Sequence, residues 1–154
     1  MDNFDDFSDL LGMKKNMNNK CNIYELKLTY NYFNDGDITD KPIKTSIEIL
    51  EDTTIITNSY NNGESDEIEK INKDNTLLLK KLSDMNFLDY KANYFTDLTP
   101  EKYEYWEISY NYKFKIVGTF DQRIELWDKL FNLFNFKDII NRIMDGENNA
   151  KWYI

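Results

Sequence analysis

The chain of 154 residues contains no histidine. That removes the commonest general base and metal ligand, and with them every nucleophile–base pair built on imidazole. A single cysteine, Cys21, excludes a disulfide framework and a cysteine zinc site, and it suits a reducing compartment. Lys20 is its only nearby cation, so it reads as an incidental thiol. The five glycines (Gly12, Gly36, Gly63, Gly118 and Gly146) stand far apart, which excludes a phosphate-cradling glycine loop. No apolar run approaches the roughly 18 residues a membrane-spanning helix needs. Met1 to Asp6 is acidic where a secretory signal has a basic start and an apolar stretch, so the cytoplasm is the expected location. Arginine is also scarce, with 2 residues, whereas a protein built to grip phosphates bidentately uses more. Neither a cofactor nor a resident metal is expected.

What is present is apolar, aromatic and acidic. Hydrophobic residues make up 41% and aromatics 16%, enough for one real core, and the length suits one domain. Asp and Glu number 28 against 19 Lys and Arg, a net charge of -9, which makes a poor general binder of nucleic acid or anionic membrane. The 20 Asn, 17 Lys and 16 Ile set against 2 Ala follow AT-rich codons, so the asparagine content is assigned to the source genome rather than to function.

Residues 1–21 form an acidic amphipathic segment and linker. Phe4, Phe7, Leu10 and Leu11 recur at helical spacing among Asp2, Asp5, Asp6 and Asp9, and residues 14–20 are polar and aperiodic. The segment reads either as a short helix docking into a partner's groove or as a terminus packed on its own domain.

Residues 22–154 read as one α+β domain. Alternating Tyr24, Leu26, Leu28, Tyr30 and Tyr32 predict a first strand, and Ile43, Thr45, Ile47 and Ile49 a second. Glu51-Asp52 reverses the chain into a third, Thr54 to Tyr60. Ser65 or Asp66 then caps a predicted helix whose stripe begins at Ile68 and Ile71 and continues through Leu78, Leu82 and Met85. Asn86 to Pro100 reads as a mostly irregular connection. Tyr103 to Tyr112 and Phe114 to Phe120 predict a hairpin, and Asp121 caps a last helix carrying Ile124, Trp127, Leu130, Phe131 and Phe134. The expected fold is a two-layer α+β sandwich. Its antiparallel sheet has about five strands in the order β-β-β-α-β-β-α, with two helices packed on one face.

Candidate chemistry is sparse. Asp35, Asp37 and Asp40 cluster, but eleven residues past Asp35 lies Ser46, so a calcium loop of the helix–loop–helix type fails. Carboxylate pairs of the glycosidase kind leave no local motif, and nothing favours one pair over another. No catalytic residue is assigned, and the chain is read as a non-enzyme. Tyr103 and Tyr105 lie on the opposite strand face from Trp106 and stand as interface candidates.

The distribution of charge is more informative. Residues 35–74 hold 11 acids and 4 lysines, a net of -7, whereas residues 75–154 hold 12 acids and 11 bases. If the second and third strands form a hairpin, their outer loops share one end. That end collects Asp35, Asp37, Asp40, Glu64, Asp66, Glu67 and Glu69 and would steer a basic partner towards it. The competing reading places Asp66, Glu67 and Glu69 in the first turn of a helix, where the dipole favours them.

In size, charge and lack of motifs the chain resembles anti-CRISPR proteins and toxin-immunity proteins in general type. The resemblance implies a stoichiometric inhibitor of a basic, nucleic-acid-handling partner, with the acidic end standing in for phosphates. Alternatively it implies an immunity protein capping a toxin. An adaptor docking through Phe4, Phe7, Leu10 and Leu11 is the reading from a different class, and an enzyme using carboxylates is a third.

Overall fold

The computed structural model describes residues 21–32, 41–95 and 104–144. The segment 1–20, with Phe4, Phe7, Leu10 and Leu11, lies outside the described residues, as do Asp35, Asp37, Asp40 and Tyr103.

Among the described residues the sheet has seven strands. They are β1 (Leu26–Asn31), β2 (Pro42–Ile49), β3 (Thr53–Tyr60), β4 (Ser65–Asn72), β5 (Asn93–Tyr94), β6 (Tyr105–Tyr110) and β7 (Phe114–Thr119). Their order is β4-β3-β2-β1-β6-β7-β5. All neighbours are antiparallel except β5, which runs parallel to β7. Among the described residues three α-helices accompany them: α1 (Thr76–Leu82), α2 (Glu125–Leu133) and α3 (Phe136–Met144). The expected five-stranded antiparallel sheet with two helices is therefore corrected to a mixed seven-stranded sheet with three.

Each difference has a local cause. Ile68 and Ile71 are three apart, which imitates a helical stripe, yet residues 65–72 are strand β4. A bulge explains this: Glu69 pairs with Ile56 and Glu67 with Thr57, so Ile68 is an extra residue opposite the regular ladder. The extra residue resets the alternation, and both isoleucines, half-buried, reach the core side. The pair β5 is two residues long, too short for any periodic signal. Its neighbour Gly118 permits the close approach, since a β-carbon there would lie 2.6 Å from Trp106 Cζ2 and 2.7 Å from Tyr94 Cβ. The single last helix is split at Asn135, whose φ of 52° ends α2 in the left-handed conformation that asparagine tolerates.

One hydrophobic core joins sheet and helices. Leu26, Leu28, Ile47, Ile49, Ile56, Trp106, Ile108 and Ile116 supply the sheet side. Leu79, Leu82, Leu126, Trp127, Leu130, Phe136 and Ile139 supply the helical side. Trp106 stacks on Trp127 at 5.7 Å, and both are fully buried. The opposite face is polar by register: Thr29 Oγ1 and Ser46 Oγ share a hydrogen bond of 3.0 Å, and Asn31 Nδ2 donates to Glu107 Oε1 at 3.0 Å.

Candidate functional site

The hairpin of β2 and β3 turns at Leu50–Asp52, so the start of β2, the end of β3 and the start of β4 share one end of the sheet. Of the acids expected there, Glu64, Asp66 and Glu67 are brought together at the mouth of β4, and all three are exposed. Strand β4 is a sheet edge. Asp66 faces Asn58 and Glu67 faces Thr57, so consecutive carboxylates project to opposite sides of that edge. Glu69 lies past the bulge, half-buried and paired with Ile56. The helical explanation for these acids falls with the helix itself.

Four carboxylates elsewhere are matched with cations: Glu107 with Lys115 at 3.2 Å, Asp128 with Arg123 at 3.3 Å, Glu125 with Lys129 at 3.5 Å and Asp138 with Arg142 at 3.2 Å. Among the described residues, Glu64, Asp66 and Glu67 have no cationic partner. The Tyr60 hydroxyl lies beside Asp66, and its pKa is raised mainly by burial and further by the Asp66 charge. Tyr105 sits on the polar face, edge-on to Phe95 at 5.6 Å, separated by β3, β2 and β1 from the acidic edge.

A second constellation, at the opposite end of the sheet, carried no motif in the sequence. The turn joining β6 to β7 holds Asn111 and Tyr112 at positive φ, 52° and 67°. Asn111 is buried and works as a clip. Its Oδ1 accepts from Tyr24 N–H at 2.9 Å, its Nδ2 donates to Asn22 O at 2.9 Å, and its own N–H donates to Glu25 O at 2.9 Å. These bonds bring Tyr24 and Tyr112 together with ring centroids 6.2 Å apart. Both rings line a cleft of about 690 Å³ with Leu50, Glu51, Asp52, Thr76, Leu79 and Lys80. The floor of the Glu51–Asp52 turn is pinned by Asn75, whose Nδ2 donates to Leu50 O at 2.8 Å and whose N–H donates to Glu51 O at 2.7 Å.

Beneath Tyr112 lies Glu25, only 2% exposed. Its Oε1 accepts Tyr112 N–H at 2.8 Å. Burial, and then a hydrogen bond with the Glu48 carboxyl, push the Glu25 pKa up to about 7, while the Tyr112 N–H pulls it the other way. Two carboxyl groups that close hold a proton between them more readily than two negative charges. Sequence reading missed the pair because Glu25 and Glu48 stand on different strands, and their proximity comes from the β1–β2 register.

No group of His, Cys, Asp and Glu among the described residues is placed to hold a metal ion, and no described helix is long and apolar enough to cross a membrane. Comparison of the chain with protein-family models, with curated proteins and with solved structures finds no match.

Proposed function

We propose that the chain is a small, acidic, cytoplasmic binding protein that inhibits a basic, nucleic-acid-handling protein stoichiometrically, its acidic edge taking the place of phosphates. The observation that carries this reading is the set Glu64, Asp66 and Glu67: three exposed carboxylates within four residues, at the mouth of the edge strand β4 and without cationic partners among the described residues. Exposed charge on the edge strand of the described sheet, without cationic partners among the described residues, is an attractive target for lysine and arginine and speeds encounter with a cationic surface. A competing physical role exists for the same residues, since charge on an edge strand blocks edge-to-edge association.

One experiment separates the two roles. The tagged chain and its Glu64→Lys, Asp66→Lys, Glu67→Lys variant are used to capture partners from lysate of the source cell or its host, with low- and then high-salt washes. The proposal expects a basic nuclease or nucleic-acid-binding effector on the wild type only, released by salt, and inhibited by the wild type at equimolar ratio. Equal capture by the triple variant overturns it. Salt-resistant capture that depends on residues 1–20 replaces it with the adaptor reading.

A further inference from the structure

We propose that the cleft between Tyr24, Tyr112 and the Glu51–Asp52 turn binds one cationic side chain, a lysine or arginine projected by a protein partner. This takes from the preceding reading only that the partner is basic, and the site lies at the other end of the sheet from the acidic edge.

Three observations converge on a cation. Tyr24 and Tyr112 are 53% and 65% exposed, with their rings 6.2 Å apart and inclined by 43°. Two neighbouring, largely exposed aromatic rings present their negative faces to the space in front of them, the arrangement that attracts ammonium and guanidinium groups. The charges around them agree: Glu51 and Asp52 line the cleft, and the Glu25 and Glu48 carboxyl groups act electrostatically on the Tyr112 hydroxyl. Lys80 also lines the cleft and Lys27 stands beside Glu25, while the charged groups acting on the Tyr112 hydroxyl are the carboxyl groups of Glu25 and Glu48.

Backbone conformation supplies the third. Tyr112 is held at a φ of 67°, where its β-carbon crowds the backbone and glycine would sit without penalty. An exposed ring at such a position gains little packing in return. A large side chain kept where folding alone favours glycine points to use of the ring itself. Asn111 fixes the geometry in advance by tying Tyr24 to the turn, so little ordering remains to oppose binding.

The test titrates the full ¹⁵N-labelled chain with N-acetyl-Gly-Arg-Gly-amide and with its citrulline counterpart, neutral but close in shape, followed by ¹H–¹⁵N spectra. The expected result is saturable movement of the Tyr24, Asp52 and Tyr112 amides with the arginine peptide, and roughly tenfold weaker binding of the citrulline peptide. Tyr112→Gly, which suits the turn, weakens the arginine peptide about three- to tenfold, whereas Tyr112→Phe preserves its affinity. Equal binding of the two peptides, or unchanged affinity in Tyr112→Gly, overturns the proposal. Movement confined to residues 64–69 overturns it too while leaving the edge-strand reading intact. Movement at the cleft that persists in the edge triple variant upholds it whatever becomes of that reading.

Discussion

Replacing Glu25 by glutamine should remove a pH dependence of stability that the wild type shows between pH 5.5 and 8. The unfolded carboxyl takes up its proton near 4.5 and the folded one near 7. Between those values the folded state binds more protons than the unfolded state, so stability falls as pH rises and levels off above about pH 8. The displacement corresponds to about 3 kcal/mol at roughly 1.4 kcal/mol per pH unit. Glu25 directly precedes β1, and its partner Glu48 is only half-buried, so water screens the pair and the effect to expect is about 1–2 kcal/mol. The absence of histidine makes the window clean, since no other side-chain type has an ordinary pKa inside it. Glutamine keeps an acceptor for Tyr112 N–H and adds a donor towards Glu48, imitating the protonated pair. Urea unfolding followed by tryptophan fluorescence at pH 5.5, 6.5, 7.5 and 8.5 is the assay, all above the isoelectric point of about 4.6. The wild type should lose stability across the series, and Glu25→Gln should stay level and exceed it at pH 8.5. Parallel curves for the two proteins would refute the shared-proton argument.

Gly118→Ala should cost about 3 kcal/mol, because the new methyl meets the buried Trp106 ring and Tyr94 Cβ at under 3 Å, and a melt should show a midpoint roughly 6–12 °C lower. An unchanged melt would mean that β5 does not pack against β7 as described. Asn75→Ala should cost about 2 kcal/mol by leaving Leu50 O and Thr53 O without their side-chain donor while the backbone bond to Glu51 O remains, read by denaturant unfolding. Tyr112→Gly should stabilise the fold by about 0.5–1 kcal/mol, relieving the left-handed β-carbon at little packing loss. A destabilised Tyr112→Gly would show that the ring serves the fold and not a ligand. Neutralising the edge with Glu64→Ser, Asp66→Ser and Glu67→Ser should raise self-association in light scattering while leaving the melt within about 0.5 kcal/mol.

Legibility followed the range of the interactions. Strands β1, β2 and β3 could be read from alternation because each keeps one face towards the core, and Leu26, Leu28, Ile47, Ile49 and Ile56 are indeed buried. The Glu51–Asp52 reversal and the Trp106 and Phe114 hairpin were equally local. Strand β4 was not, because a single bulged residue turned strand periodicity into helical spacing. Strand β5 owes its existence to β7 alone. Asparagine content was discounted as codon bias, and three of those residues prove to take left-handed turns: Asn86, Asn111 and Asn135. In a chain with 5 glycines, asparagine does much of the work of positive φ, helped by a side chain that can bond its neighbours. Asn75 and Asn111 add buried clips whose partners are far away in sequence.

By itself the sequence determined an acidic α+β chain with no imidazole or disulfide chemistry, its excess charge concentrated in residues 35–74 and its core residues in alternating runs. Those properties are sums over residues or repeats between near neighbours, and need no knowledge of where the chain returns. Tertiary structure alone decided that Glu64, Asp66 and Glu67 lie at the mouth of the edge strand of the described sheet, that Glu25 meets Glu48, and that Tyr24 meets Tyr112 above an acidic turn. Each of those depends on strand register and on turns that join residues 23 to 88 positions apart, where no periodicity in the sequence reaches.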